Sequence, residues 1–260
     1  MNNDREWEEF VVSLNKITNI NLQYYKRPQM ERRINGFMHQ QGISKYKDFL
    51  ELLRTDKVVC EKFVLHLTIN VSEFFRNPTN WQSLENEILP ELRKERGGPL
   101  KIWSAGCSTG EEPYSLAMLV KEKNIDIKNH ILATDLDLGV LDKAKKGEYT
   151  EKEAEGVPPA WRKKYLNFDG KTYTVTNDIK KMIRFNRQDL LKDSFETDFD
   201  LILCRNVVIY FTEESKKVLY SKFVNALRTK GALFVGSTEQ IFNARDIGLV
   251  PKKIFFYIKQ

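Results

Sequence analysis

The stretch from Leu100 to Tyr114, LKIWSAGCSTGEEPY, constrains this chain more than any other. An apolar run, Leu100, Ile102 and Trp103, ends in Ser104-Ala105-Gly106, and small residues continue to Gly110. Glu111, Glu112 and Pro113 then open an apolar-periodic run from Tyr114 to Val120. The pattern predicts a strand, a tight loop and a helix start. Proline suits the first helical turn, where its missing N–H loses no partner, and acids there suit the helix dipole. Small residues such as Gly106 let a flat ligand approach the backbone. An ordinary strand-to-helix turn would use the same residues, so this stretch alone marks a candidate cofactor site.

From residue 100 onward the chain alternates between strand and helix, which implies a parallel sheet covered on both faces. The second strand, His130 to Asp135, ends on an acid 25 residues past Gly110. An acid about that far along accepts hydrogen bonds from ribose hydroxyls in dinucleotide-binding folds. Asp135 fits that role. Asp137 is an alternative, and Asp135 could instead cap the helix from Leu138 to Ala144. Residues 147–187 read as an insert. Gly156-Val157-Pro158-Pro159 breaks the pattern, and Asp169-Gly170 marks a hairpin turn. Ile179 to Phe185 is a candidate third strand of that insert. The sheet resumes at Phe199 to Cys204 and runs into Arg205-Asn206-Val207-Val208-Ile209-Tyr210-Phe211. Ligands in such folds bind beyond the carboxyl ends of the strands, so Arg205, Asn206 and Tyr210 lie on the functional edge. Thr212 caps the next helix. Gly231 to Gly236 and Ile254 to Ile258 are the last two strands.

The first 75 residues read as helical instead. Trp7, Phe10, Val11 and Leu14 recur at helical spacing, Pro28 opens a second helix, and Ser44 is expected to cap a third. Asn70 to Pro78 is a polar and aromatic connector, and Thr79 or Asn80 caps a helix carrying Trp81, Leu84, Ile88 and Leu92. Two domains are expected, 1–78 and 79–260. Between Lys16 and Lys47 lie seven basic residues, Arg32 and Arg33 among them, against one acid, Glu31. A local excess of that kind suits an acidic partner as well as a solvated helix face. The whole chain carries +6, which fits nucleic acid, an acidic membrane surface or an acidic protein alike. Three separated cysteines and three histidines support neither a disulfide framework nor a metal site. No apolar run is long enough to span a membrane and the N-terminus is polar, so a reducing cytoplasm is the expected home.

A nucleotide-phosphate cofactor is disfavoured. The loop AGCSTG lacks the full G-x-G-x-x-G, no G-K-[ST] is present, and two acids at the helix start would repel a pyrophosphate. A cofactor with a ribose, a base and a positive centre fits better, and S-adenosylmethionine has all three.

Four motifs in order carry a family likeness. They are Asn70-Val71-Ser72-Glu73-Phe74-Phe75-Arg76, Ser104 through Tyr114, Ala133-Thr134-Asp135, and Cys204 through Phe211. With the helical N-terminal part and the insert, the chain resembles the CheR family of chemotaxis receptor methyltransferases over nearly its whole length. The resemblance implies a Rossmann-like class I methyltransferase domain with an all-helical N-terminal domain and an inserted small antiparallel β-subdomain. It implies transfer of a methyl group from S-adenosylmethionine to glutamates on the cytoplasmic helices of chemoreceptors. By the same likeness, Asn70, Ser72 and Arg76 form a lid over the cofactor, and Arg76 also pairs with a carboxylate of cofactor or substrate. Glu111 and Asp135 are the acidic contacts, Asp189 and Leu190 flank the adenine, and Arg205 and Asn206 line the amino-acid end. Tyr210 lies at the transfer site. The basic excess noted above, with Arg32 and Arg33, is then the expected docking face for the receptor. Some relatives tether a receptor peptide on the insert, but the short Asp169-Gly170 turn argues against that here. A monomer that binds no nucleic acid is expected.

A glutamate carboxylate is ionised at pH 7, its reference pKa being about 4.3, so no general base is needed. Two rivals remain. A nucleic-acid methyltransferase suits the basic charge, but Asn206 to Tyr210 lacks the Pro-Pro of the N-P-P-Y adenine enzymes. A non-catalytic module could bind the cofactor as a signal.

Overall fold

The computed structural model describes residues 2–68 and 72–260. The chain divides into two compact units, residues 1–70 with 210–217, and residues 71–209 with 218–260.

The first unit is helical: α1 (Asn2–Thr18), α2 (Arg27–Gln40), α3 (Tyr46–Thr55) and α4 (Lys57–Leu67). Each helix buries the stripe its spacing predicts. Phe37, Phe49 and Phe63 meet at the centre, with ring centroids 5.0 to 6.0 Å apart. Burying one such ring stabilises the unit by about 1.5–3 kcal/mol. Helix α3 begins one residue later than expected. Its cap is Lys45, which makes no side-chain capping bond, and Ser44 lies outside the helix. Residues 210–217 complete this unit. The Lys26 amide donates to the Tyr210 carbonyl at 2.9 Å, the Thr212 amide to the Tyr24 carbonyl at 3.0 Å, and the Tyr25 and Phe211 rings meet edge to face at 5.0 Å.

The second unit opens with Phe74 and Phe75, both buried in its core. That burial makes the connector part of this unit. A helical stretch follows: α5 (Pro78–Ser83), a π turn over Leu84–Ile88, and α6 (Leu89–Arg96). Its N-cap is Asn77, in the left-handed region, with Pro78 as the first helical residue, rather than Thr79 or Asn80. Then come β1 (Ile102–Ala105), α7 (Glu111–Glu122), β2 (Ile131–Asp135), α8 (Leu138–Lys146), β3 (Glu148–Thr150), α9 (Glu151–Ala154), α10 (Pro159–Tyr165), β4 (Leu166–Phe168), β5 (Thr172–Val175), α11 (Asn177–Lys180), β6 (Ile183–Arg187), β7 (Phe199–Cys204), α12 (Glu213–Ala226), β8 (Leu227–Val235), β9 (Leu249–Lys253) and β10 (Phe256–Lys259).

Seven strands form one sheet in the order β6-β2-β1-β7-β8-β10-β9. The first five are parallel, and β10 runs antiparallel to both of its neighbours. The central strands β1 and β7 are buried throughout, as parallel strands covered on both faces must be. A separate three-stranded sheet, β3-β5-β4, stands within the insert. Its hairpin closes on Asp169, whose Oδ1 accepts the Lys171 and Thr172 amides at 2.9 and 2.8 Å. The third strand of that sheet is β3. Residues 183–187 instead pair with β2 in the main sheet, because a short apolar run does not name its own neighbour.

Candidate functional site

All five parallel strands end on the same edge of the sheet, and each sends polar groups beyond it. After β1 the chain turns at once. Gly106 and Gly110 sit at φ 77° and 98°, a region that L side chains rarely adopt. A Cβ on Gly106 would lie 2.4 Å from Val207 Cγ2, and one on Gly110 2.9 Å from Ala144 Cβ. The amides of Gly106 and Cys107 both donate to the Thr134 carbonyl, at 2.8 and 2.9 Å. The Tyr149 hydroxyl donates to the Thr109 carbonyl at 2.7 Å. The loop is therefore held from β2 and from β3.

Two adjacent loop residues tie two carboxylates. The Ser108 amide donates to Asp135 Oδ2 at 2.8 Å, and the Thr109 hydroxyl donates to both Glu111 oxygens at 2.9 and 2.7 Å. Asp135 Oδ1 takes the Asp137 amide at 3.1 Å. Each carboxylate oxygen keeps lone pairs for further donors. The cap of α8 is Asp137, whose Oδ1 accepts the Gly139 amide at 2.8 Å, which leaves Asp135 outside that helix. Ser72 also donates to Glu111, so connector and loop meet there. Burial pushes the pKa of both Glu111 and Asp135 up. A cation or a set of hydroxyls would favour the ionised forms. The Ser108 hydroxyl, buried in the same loop, has no hydrogen-bond partner among the described residues.

At the end of β7, Arg205 is buried and spends its guanidinium on protein. Nη2 donates to the Arg76 carbonyl at 2.8 Å and to Asn77 Oδ1 at 3.1 Å, and Nη1 reaches Glu112 Oε2 at 3.4 Å. The Phe234 ring lies 4.6 Å below it. Arg205 thus fastens the connector to the sheet edge. Burial, and to a lesser degree the nearby Arg76 charge, push its own pKa down, while Glu112 pulls it back up. Asn206 follows at φ 61°. Its amide goes to Glu239 Oε2 at 2.7 Å. Ser104 binds the other Glu112 oxygen at 2.8 Å.

Beyond β6, Asp189 and Leu190 are buried. Asp189 Oδ1 accepts the Leu191 and Lys192 amides at 3.0 and 3.2 Å. Lys222 of α12 props the same turn, donating to the carbonyls of Leu190 and Asp193 at 2.8 and 2.7 Å.

Of the expected site residues, Ser72, Arg76, Gly106, Glu111, Asp135, Asp189, Leu190, Arg205 and Asn206 fall in this second unit. Tyr210, Arg32 and Arg33 fall in the first. There Arg32 is exposed, whereas Arg33 donates to the His66 carbonyl and lies near Tyr210, whose charge would raise its pKa against the lowering effect of burial. Asn70 lies outside the described residues. Sequence reasoning missed Ser108, Glu112, Tyr149, Lys222 and Glu239. The one local signal for Glu239 was an acid three residues beyond a strand-ending glycine.

The donor set suits a ligand that brings hydroxyls and positive charge and no phosphate. The acids Glu111 and Glu112 both open α7, and no group of three or more metal-ligating side chains occurs among the described residues. No helix among those residues is long and apolar enough to cross a membrane.

Comparison with known proteins accounts for this arrangement. Residues 70–254 match the family model "CheR methyltransferase, SAM binding domain" and residues 5–68 match "CheR methyltransferase, all-alpha domain". A chemotaxis protein methyltransferase of Listeria monocytogenes is 42% identical over 257 residues, covering 98% of each chain. One from Borreliella burgdorferi is 34% identical, covering 88% of this chain and 85% of its own. Chemotaxis protein methyltransferase 1 of Pseudomonas aeruginosa is 34% identical, covering 93% and 92%. The protein is a methyltransferase whose cofactor is S-adenosylmethionine, and it belongs to the CheR family.

Proposed function

We propose that this enzyme methylates glutamate side chains on the cytoplasmic helices of chemoreceptors, giving glutamyl methyl esters in chemotactic adaptation. One observation carries the assignment of the site. Asp135 and Glu111 are tied to adjacent residues of a single glycine-hinged loop. In this reading Asp135 accepts the ribose hydroxyls, and Ser108 adds a hydroxyl beside it. Glu111, with Ser72, faces the cofactor's ammonium group. Asp189 and Leu190 flank the adenine. Asn206 meets the amino-acid end, with Arg205 behind it holding the connector. The catalytic roles fall to Arg76, which orients a carboxylate, and to Tyr210, which lines the transfer site. Asn70 contributes with Ser72 to the lid.

When bound, the cofactor supplies an electrophilic methyl group on a sulfonium centre. The receptor glutamate, already ionised, is its own nucleophile. The protein therefore needs no general base, and its tasks are alignment and the exclusion of water. His130 suits this reading, since it precedes β2 at the far end from Asp135. The helical domain docks an acidic receptor face through Arg32 and Arg33. The enzyme works as a monomer in the cytoplasm, with no membrane insertion and no nucleic-acid substrate.

The test is methyl transfer from tritiated S-adenosylmethionine to a receptor cytoplasmic fragment. The expected label is base-labile and released as methanol. Asp135→Asn should lose most of the activity at low cofactor and recover part of it at saturation. Label on RNA or DNA, or none that base releases, would overturn the proposal.

A further inference from the structure

Glu239 follows β8 and is 4% exposed. Main-chain donors ring its carboxylate. Oε2 accepts the amides of Asn206 and Gly236 at 2.7 and 2.8 Å, and Oε1 accepts that of Val208 at 2.9 Å. The Ile209 amide joins them. Three of these four amides belong to the turn that leaves β7, so one side chain gathers that turn and pins it to the end of β8.

The junction leaves no room. A Cβ on Gly236 would lie 2.5 Å from Glu239 Oε2 and 2.7 Å from the Asn206 nitrogen. Asn206 itself holds a left-handed backbone, φ 61°, a region asparagine enters more readily than most side chains, and its amide is held there by Glu239. A neutral side chain would serve this turn poorly. Buried amides of this kind need acceptors, and only a carboxylate offers two oxygens with four lone pairs and no donor of its own.

We propose that Glu239 is a positioning residue for methyl transfer, holding the Asn206–Ile209 turn so that Asn206 presents its side chain to the cofactor's amino-acid end. This rests on the proposed placement of the cofactor. Glu239 touches neither cofactor nor substrate in this arrangement and acts through the turn.

The test compares the full-length wild-type protein with Glu239→Gln, Glu239→Ala and Gly236→Ala. Leu249→Ala, in the buried edge strand β9, serves as a stability control. Four quantities are read: melting temperature, cofactor affinity by calorimetry, kcat and KM with a receptor fragment, and amide hydrogen exchange. In Glu239→Gln the amides of Asn206, Val208, Ile209 and Gly236 should exchange at least about tenfold faster, while those of β7 stay protected. The kcat per folded molecule should fall by about tenfold to a hundredfold. Gln keeps one acceptor oxygen, so it should rank between Glu and Ala. Leu249→Ala should lower the melting temperature and leave kcat, KM and affinity unchanged. A Glu239→Gln enzyme that loses only melting temperature, with wild-type kinetics per folded molecule, would refute the positioning role. A wild-type protein that binds no cofactor would instead refute the site assignment beneath it, and the exchange measurement would still report whether Glu239 holds the turn.

Discussion

Ser108 carries a buried hydroxyl with no hydrogen-bond partner among the described residues, next to an amide already committed to Asp135. An unsatisfied buried hydroxyl is costly unless a ligand completes it. Ser108→Ala should therefore weaken cofactor binding by about 0.5–1.5 kcal/mol, roughly twofold to tenfold, and leave the melting temperature of the free protein unchanged or raised. Calorimetry and a thermal melt on one preparation read both quantities, and an unchanged affinity would remove Ser108 from the site. At this scale the sequence was informative wherever a residue's role is set by its immediate neighbours. Asp135 could be singled out because it ends a strand at a fixed distance past the loop. Arg205 could be placed at the edge but not understood. Its partners Arg76, Asn77 and Glu112 lie 129, 128 and 93 residues away, and nothing local announces them. Glu239 was missed for the same reason, since the amides it binds carry no sequence signature.

Among the elements, the central strands were legible because burial on both faces leaves an unbroken apolar run. Edge pieces were not. Strand β9 reads Leu-Val-Pro-Lys-Lys, which resembles a loop, yet it pairs with β10 across Pro251 and Tyr257. An edge strand tolerates proline and lysine, which also discourage pairing with a second chain. The insert is fastened to α7 by an ion pair between Lys121 and Asp178 of α11. That pair holds the Asp178 carboxyl down at about 2, against an ordinary value of 3.8. Because the folded value is the lower one, the pair stabilises above about pH 3.8, and the contribution is lost as pH falls through about 2. Both side chains are substantially exposed, so screening trims the gain. Asp178→Asn should lower stability by about 0.5 kcal/mol at pH 7. The two melting curves should converge as pH falls toward 2. A difference that grows with acidity would contradict the assignment.

For the whole molecule, charge decides how the proposed docking is tested. Within the first unit Arg27 is already paired with Asp4 and Glu31, and Arg33 is bound to the His66 carbonyl. Arg32 is the exposed member of the expected pair. Arg32→Glu should raise KM for the receptor fragment about threefold to tenfold at low ionic strength, with kcat at saturation preserved. The effect should shrink as salt approaches about 0.5 M, where screening lengths are only a few ångströms. An identical KM at low salt would exclude Arg32 from docking. The composition of that first unit bears on how the protein is made. Its last piece, residues 210–217, lies about 140 positions downstream of the rest. The Thr212 amide, the Tyr210 carbonyl and the Phe211 ring that complete it do not exist when the four helices leave the ribosome. At about 5–20 residues per second, the helices wait on the order of ten seconds for those partners. Until then the Tyr24 carbonyl and the Lys26 amide lack their native main-chain partners, so the helical unit is finished only after the chain that forms most of the second unit has been made.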